Sequence, residues 1–226
     1  MYFKPCLSGE TILSNRSVVV VNAQLGLGME IVKFFAKECD WVVGVVGSDT
    51  EFTSFKSQFA DNDIVRIFKA SPATISTVVA ALKSAQITPD LLLVYSGRNS
   101  NMRPFAQISE SEMLEAFRSI VLEPQVVMGA FLPLMRSVSG AVIACVSSDL
   151  AYKGSAGKAA TAAARHAMDG LMKSAAEDCA NDSVAICTVR FQPRQLNETI
   201  EDQVRKFCLA LLGLRKGNSG LNVECA

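Results

Sequence analysis

Residues 18–28 have the sequence VVVVNAQLGLG, an apolar run that ends in two glycines. β-Branched valines favour a strand buried on both faces, and Gly26 and Gly28 allow a sharp turn and a close approach to a ligand. Ile31 and Phe35 follow at helical spacing. A helix that begins after the second glycine would direct its free N–H groups at an anion. The stretch therefore predicts the first strand, phosphate loop and helix of a nucleotide-binding βαβ unit.

Length and charge limit the possible functions. The chain has 226 residues, of which half are hydrophobic, and its 22 basic and 22 acidic side chains give a formal net charge of zero. This length suits a single domain, 1–226, with a full core. Balanced charge predicts no nucleic-acid partner. Apolar runs shorter than about 18 residues predict no membrane span, and a start without a long apolar segment predicts no signal peptide. We therefore expect a cytoplasmic protein.

The cysteines and the histidine form no pattern of metal ligands. The seven cysteines are scattered without a CxxC pair, at Cys6, Cys39, Cys145, Cys179, Cys187, Cys208 and Cys225. Such scatter is typical of reduced thiols. His166 is the single histidine, and we expect it on a partly buried helix face. No metal site is predicted.

Apolar runs alternate with helical patterns along the chain. After a lead-in at 1–16, buried strands are predicted at 18–21, 41–46, 64–68, 91–95, 141–146, 184–189 and 221–225. Helices are predicted after Gly28 and at 51–59, 74–85, 109–135, 156–179 and 201–214. This alternation predicts an α/β fold with one Rossmann-like, doubly wound parallel sheet of about seven strands and helices on both faces.

Four short motifs occur at the ends of predicted strands. They are Gly26-Leu27-Gly28, Ser96-Gly97, Ser147-Ser148 and Pro193. Their order and spacing resemble the short-chain dehydrogenase/reductase family from Val18 to Ala226, where they correspond to the TGxxxGxG loop, NNAG, the catalytic serine and Pro-Gly. The resemblance implies NAD(P) as the cofactor. It assigns cofactor binding to Asn22, Leu25, Gly26, Leu27, Gly28, Ser48, Ser96, Gly97 and Pro193.

The chain departs from the family where the chemistry is done. The family's proton-transferring tyrosine lies thirteen residues after the serine, with a lysine four residues further, but counting from Ser148 reaches Thr161 and Arg165. A threonine hydroxyl is a far weaker acid than a phenol, and arginine cannot titrate as lysine can. The family's supporting asparagine falls near Ile120. Tyr152 is a candidate to supply the missing phenol.

Two of these candidates keep alternative interpretations. Ser148 either donates a hydrogen bond to a bound carbonyl or caps the end of its strand. Arg165 either holds an anionic ligand or pairs with Asp169 one helical turn later. Arg165, Asn22 and Pro124 also resemble the halohydrin dehalogenase branch of the family, which has given up the nicotinamide cofactor.

Positions that would recognise the cofactor are also changed. Asn22 replaces the first glycine of the loop, and Gly47 stands where an acidic residue would hold a ribose, although Ser48 or Asp49 could substitute for it. The family's substrate-covering lobe after Pro193 is largely missing, because the last predicted helix begins at 201. NAD(P) is therefore a candidate cofactor with little side-chain recognition.

Three functions are compatible with these residues. The first is a binding, regulatory or assembly subunit without classical carbonyl reduction, whose partner would be an active paralogue. The second is an enzyme with non-redox lyase, isomerase or dehalogenase-like chemistry that uses Ser148 and Arg165. The third is an atypical NAD(P)H-dependent reductase. The resemblance also implies a homodimer through the helices at 109–135 and 156–179, because small alanine side chains permit close approach.

Overall fold

Parallel strands form one sheet at the centre of the fold. The computed structural model describes residues 16–97, 102–191, 199–214 and 216–225. Within these ranges the strands are β1 Ser17–Val21, β2 Trp41–Val46, β3 Val65–Lys69, β4 Leu91–Tyr95, β5 Val142–Ser147, β6 Ala185–Phe191 and β7 Asn222–Cys225. They lie in the order β3-β2-β1-β4-β5-β6-β7, and every neighbouring pair is parallel. The predicted fold class is confirmed.

Helices cover both faces of this sheet. In the described ranges they are α1 Gly28–Glu38, α2 Asp49–Gln58, α3 Ile75–Ser84, α4 Glu110–Phe117, α5 Glu123–Met135, α6 Ala159–Asp178 and α7 Ile200–Leu212. One face carries α1, α2 and α7, and the other carries α3, α4, α5 and α6. The central strands are therefore buried on two sides, which explains their continuous valine and leucine runs, whereas the edge strand β3 is only partly buried.

Strand β1 shows how the two cores form. Val18 and Val20 belong to the core under α1, whereas Val19 and Val21 belong to the core under α5 and α6. Successive side chains point to opposite faces of a strand, so one unbroken valine run supplies both cores. From β1 the chain moves outward to β3 and then returns to β4 on the other side. Strand order thus reverses between β1 and β4, where open α/β sheets form a ligand crevice at their carboxyl ends.

The helix predicted at 109–135 is not a uniform α-helix. Between α4 and α5 lies a π-helical turn, Arg118–Leu122, in which the Glu123 N–H bonds to the Arg118 carbonyl. Pro124 follows this turn and has no N–H to donate to the carbonyl four residues earlier, which disrupts the α-helical ladder at this point. This π-helical turn is wider than an α-helical turn, and it lies where the helical run borders the crevice.

Other predicted boundaries differ by a few residues. The helix predicted at 156–179 begins at Ala159, because Gly157 adopts a φ of +73° that no α-helix allows. Residues 1–15 of the predicted lead-in and Pro193 with the residues around it lie outside the described ranges.

The helical run Glu110–Met135 is unusually apolar. It has 26 residues and contains an 18-residue window with a mean hydropathy of 1.2, so by length and composition it is the one helix in the described ranges that could cross a membrane. Here Phe131 and Met135 pack fully buried against the sheet. Only 28% of its apolar window is buried, however. The run therefore leaves an apolar face uncovered, and the absence of a membrane span stays a prediction.

Gly28 provides a test of the turn between β1 and α1. A Cβ at this position would lie 2.2 Å from the backbone oxygen of Ala23, which cannot move as a side chain can. We expect Gly28→Ala to lower the free energy of unfolding by about 1–3 kcal/mol, as overpacking does. Gly154→Ala is the matched control, because its Cβ would meet no described atom within 4 Å. Denaturant titration would contradict the packing if both variants had the same midpoint.

Candidate functional site

A cleft of about 870 Å³ opens at the carboxyl ends of β1 to β4. One wall is formed by strand ends and loops, with Asn22, Gln24, Leu25, Gly47, Ala70, Ser71, Pro72 and Gly97. The opposite wall is formed by the helical run, with Ser111, Glu112, Glu115, Ala116, Ser119, Ile120 and Glu123. This volume lies in the range of small-molecule sites, and the position is the switch point of the sheet. The cleft is therefore the candidate binding site.

The loop after β1 keeps the backbone of a glycine loop although its first glycine is replaced. Asn22 has a φ of +57° and Gly26 a φ of +53°, both in the left-handed region. Asparagine adopts this region more readily than most residues with a side chain. The Asn22 Nδ2 also donates to the Tyr95 carbonyl at 2.8 Å. Asn22 thus preserves the turn in place of the glycine, and its hydrogen bond links the end of β1 to the end of β4.

The Tyr95 ring packs against this loop. Its Cε1 lies 3.3 Å from the position that a Cβ on Gly26 would occupy. Burial raises the pKa of the Tyr95 phenol above its ordinary value, and a hydrogen bond from the Leu27 backbone opposes part of that rise. The phenol therefore stays neutral at physiological pH and supports the loop.

Ser48 and Asp49 make local interactions at the end of β2. The Glu51 N–H donates to the Ser48 Oγ at 3.3 Å, and the Ser48 N–H donates to the Glu51 carboxylate at 3.0 Å, so the pair caps α2. The Lys69 ammonium lies 2.6 Å from an Asp49 carboxylate oxygen. Each side chain thus has a partner that a ligand would have to displace.

Gln24 is a cleft residue that the sequence did not single out. Its Nε2 lies 3.4 Å from the position of a Cβ on Gly47. Its Oε1 is buried and has no hydrogen-bond partner among the described residues. The signal in the sequence was the absence of a side chain at Gly47, which leaves room for a long polar side chain from the neighbouring loop.

Arg165 is directed at the end of β4 and does not line the cleft as the structure describes it. Its Nη1 donates to the Ser96 Oγ at 3.3 Å and its Nη2 to the Ser96 carbonyl at 3.4 Å. Burial lowers the pKa of the guanidinium, which is 7% exposed. The expected pair with Asp169 does not form, because Asp169 binds Arg190 from β6.

Thr161 and Ile120 are both fully buried beside the cleft. Thr161 is 0% exposed and Ile120 is 1% exposed. The Ile120 Cγ1 lies 2.3 Å from the position of a Cβ on Gly97, which has a φ of +64°. A glycine is thus required at Gly97 for two reasons, its conformation and the isoleucine packed against it. The π-helical turn brings this isoleucine to the end of β4.

Ser148 and Tyr152 do not line the cleft in the described part of the chain. The Ser148 Oγ is buried without a hydrogen-bond partner, and it makes no capping bond to the turn that follows. Tyr152 is 43% exposed, and the Arg190 guanidinium lies 5.0 Å from its ring centroid. Of the four candidate catalytic residues, only Thr161 contacts the cleft.

The match to a known family agrees with the strand order of the sheet and with the glycine loop after β1. The model of the short chain dehydrogenase family matches residues 16–199. The chain belongs to this family. No curated protein matches the sequence.

Solved structures of the same fold cover nearly the whole chain. A putative short-chain alcohol dehydrogenase from Burkholderia multivorans is 21% identical, with a TM-score of 0.77 over 93% of this chain and 96% of that one. A short chain dehydrogenase from Salmonella enterica is 16% identical, with a TM-score of 0.80 over 96% and 99%. A short chain oxidoreductase from Pseudomonas aeruginosa PAO1, named as containing an atypical catalytic center, is 17% identical, with a TM-score of 0.78 over 93% and 95%. These identities support the fold alone.

Dehydrogenases of this family typically bind NAD(P), but the side chains of this cleft do not fit that cofactor. The loop backbone at Gly26 and Gly28 keeps its turn. The family's lysine position, Arg165, is instead bonded to Ser96, and the ribose position, Gly47, has no side chain. Three carboxylates, Glu112, Glu115 and Glu123, line the helical wall of the same cleft.

Metal ligation finds no support either. Among the described residues, no group of three or more His, Cys, Asp and Glu side chains could hold a metal ion. His166 is exposed, and its Nδ1 lies 2.9 Å from the Ala162 carbonyl of its own helix. The predicted partly buried position for this histidine is therefore wrong, because its ring projects from the outer face of α6.

Buried thiols supply a test of the core around the site. Burial raises the pKa of Cys145 from an ordinary value near 9 to about 12. Cys39, Cys179, Cys187 and Cys208 are also buried, and none of them forms a disulfide with a described residue. We expect at most two of the seven cysteines to react with Ellman's reagent near pH 8 in the folded protein, and all seven after denaturation, because reaction requires an accessible thiolate.

The same shift predicts the pH dependence of stability. Because the folded pKa of Cys145 lies above the unfolded value, its contribution is present below about pH 9 and is lost as pH rises towards 12. We expect the free energy of unfolding of Cys145→Ala to fall less than that of the unmodified protein as pH rises from about 9 towards 12, because the titrating thiol is absent. Denaturant titration at successive pH values measures this difference. Rapid modification of three or more thiols in the folded protein would contradict the core packing.

Proposed function

We propose that this chain is a dehydrogenase-family member that uses its cleft for binding and does not carry out classical carbonyl reduction. The observation that carries this proposal is the pair of hydrogen bonds from Arg165 to Ser96. They occupy the guanidinium at the position where the family has its catalytic lysine. A cation held in this way is not available to lower the pKa of a neighbouring proton donor.

The proton donor itself supports the same proposal. Thr161 stands at the family's tyrosine position and contacts the cleft, but its hydroxyl has no acidity near neutral pH. General acid catalysis contributes about 10²–10⁴-fold to a rate. Neither Tyr95, which packs under the loop, nor Tyr152, which lies outside the cleft, replaces it.

The alternatives differ in their support. Non-redox chemistry through Ser148 and Arg165 requires both side chains at a ligand, and neither contacts the cleft in the described ranges. An atypical reductase is favoured by one comparison, because the Pseudomonas aeruginosa structure is named an oxidoreductase despite an atypical catalytic center. The turnover experiment below separates that alternative from the proposed binding role.

Carbonyl reduction is tested directly with NADH and NADPH and a panel of simple ketones and aldehydes. We expect oxidation of either cofactor to stay at the rate of the protein-free control, since proton donor and lysine are both replaced. The reading is the fall in absorbance of the reduced nicotinamide. Turnover that persists in the purified protein and disappears in Ser148→Ala would refute the proposal.

We also propose a homodimer through the uncovered face of the helical run and α6. Leu114, Leu122 and Val126 are 61%, 58% and 45% exposed, and they recur along one side of α4 and α5. Ala163 and Gly170 are exposed on α6. Large exposed apolar side chains beside small ones favour close helix packing, which a stable dimer needs over about 800 Å² per partner.

Introducing a negative charge on the uncovered face of the helical run tests the proposed dimer. We expect Leu122→Glu and Val126→Glu to convert a dimer into a monomer at micromolar concentration, because burying an unpaired carboxylate costs several kcal/mol. Ile200→Glu is the matched control, since Ile200 is 60% exposed at the start of α7 on the other face of the sheet. Size-exclusion chromatography with light scattering reads the mass. A monomeric unmodified chain would contradict this proposal.

A further inference from the structure

The charged side chains of the cleft are concentrated on its helical wall. Glu112, Glu115 and Glu123 line this wall, and Arg103 is the basic residue in the described lining. The Arg103 Nε pairs with the Glu112 carboxylate at 3.0 Å. Hydrogen bonds from Ser109 lower the pKa of Glu112, which keeps it ionised. Glu123 pairs in turn with Arg118, outside the lining, at 3.4 Å, so Glu115 is the carboxylate of this wall without an ion-pair partner among the described residues.

Basic side chains around the loops are already bound to partners. Lys69 pairs with Asp49 at 2.6 Å, after β3, and Lys33 pairs with Glu30 at 2.8 Å, in the first helical turns of α1. Arg165 is held at the end of β4. A carboxylate in the first turn of α1 also opposes an anion at that helix end. A phosphate entering the cleft would therefore have to break an ion pair to gain a cation.

The strand-end wall is uncharged and offers an acceptor. Gln24 lines this wall, and its Oε1, which is buried and has no partner among the described residues, would meet a ligand donor after rotation of the amide. The lining around it is small or apolar, with Leu25, Gly47, Ala70 and Pro72. An unpaired buried amide oxygen gains most from a ligand N–H or O–H. The opposite carboxylates also accept hydrogen bonds from such groups.

We infer that this cleft selects an uncharged, nucleoside-sized ligand that bears hydroxyl or N–H donors, and that it rejects phosphate-bearing dinucleotides. The donor meets the Gln24 amide, and the ring body lies on the apolar strand-end wall. Like charges close to one another repel strongly where water is partly excluded, so each phosphate weakens binding. The inference concerns the ligand and goes beyond the proposed loss of carbonyl reduction.

A ladder of ligands with one ring system and increasing charge isolates this effect. Adenosine, AMP, ADP, NAD⁺ and NADP⁺ are titrated into the full chain by calorimetry at about 50 mM and about 500 mM NaCl. We expect adenosine to bind about tenfold more tightly than NAD⁺ at the lower salt, with affinity falling as phosphates are added. The difference in affinity between adenosine and NAD⁺ narrows at the higher salt, because salt screens the repulsion between the wall carboxylates and the ligand phosphates.

Substitutions test whether the helical wall causes the lower affinity for phosphate-bearing ligands. Glu115 is exposed and forms no ion pair with a described residue, so Glu115→Gln removes a charge without freeing a partner. We expect this variant to raise NAD⁺ affinity about threefold and to leave adenosine unchanged. Glu38→Gln is the matched control, because Glu38 is exposed at the C-terminal end of α1, whereas the loop at the cleft precedes the N-terminal end of that helix. Gln24→Leu is expected to weaken adenosine several-fold with no change in salt dependence.

Each result decides for or against the inference. NAD⁺ or NADP⁺ binding more tightly than adenosine would overturn it, as would adenosine failing to bind at millimolar concentration. Equal responses of Glu115→Gln and Glu38→Gln would also overturn it. Tight NADPH binding without turnover would remove this inference and leave the proposed function intact, whereas turnover of NADPH would remove the proposed function.

Discussion

A buried guanidinium needs hydrogen-bond acceptors, and among the described residues the end of β4 supplies them to the two Nη groups of Arg165. Its two Nη donors reach the hydroxyl and carbonyl of Ser96. Asp169, one turn further along α6, is already bound to Arg190. An unpaired buried charge costs several kcal/mol, whereas a hydrogen bond to a charged group returns about 1.5–3 kcal/mol. The Ser96 carbonyl must therefore face α6, and the conformation of the turn that follows depends on it.

That turn links the arginine to the helical wall. With the Ser96 carbonyl facing α6, the chain continues through Gly97 at a φ of +64°, and its bare Cα admits the side chain of Ile120. The π-helical turn that precedes Pro124 sets the position of this isoleucine. Packing and hydrogen bonding thus fill the space where a dehydrogenase would place an asparagine and a lysine. These replacements support one another, so reverting one of them would strain its neighbours.

The sequence predicted the fold well because the fold follows from local pattern. Apolar runs mark β1 and β4, and the serine pair 147–148 marks the end of β5, whatever lies in the cleft. Side-chain partners depend on spatial neighbours instead. The i,i+4 spacing of Arg165 and Asp169 favoured a pair on one helix, but Asp169 faces β6 and meets Arg190. Gln24 was not singled out either, because its importance arises from the missing side chain at Gly47, which follows a different strand.

Loss of family residues therefore need not mean loss of a defined site. A drifting site would be expected to leave the glycine loop strained where Asn22 replaced a glycine. Instead Asn22 takes the left-handed conformation and donates to the Tyr95 carbonyl, while the Tyr95 ring packs against Gly26. Tyr95, at the end of another strand, thus stabilises the loop in which Asn22 replaces a glycine. An intact loop, a cleft of about 870 Å³ and an acidic wall are together more consistent with a changed ligand than with a decayed pocket.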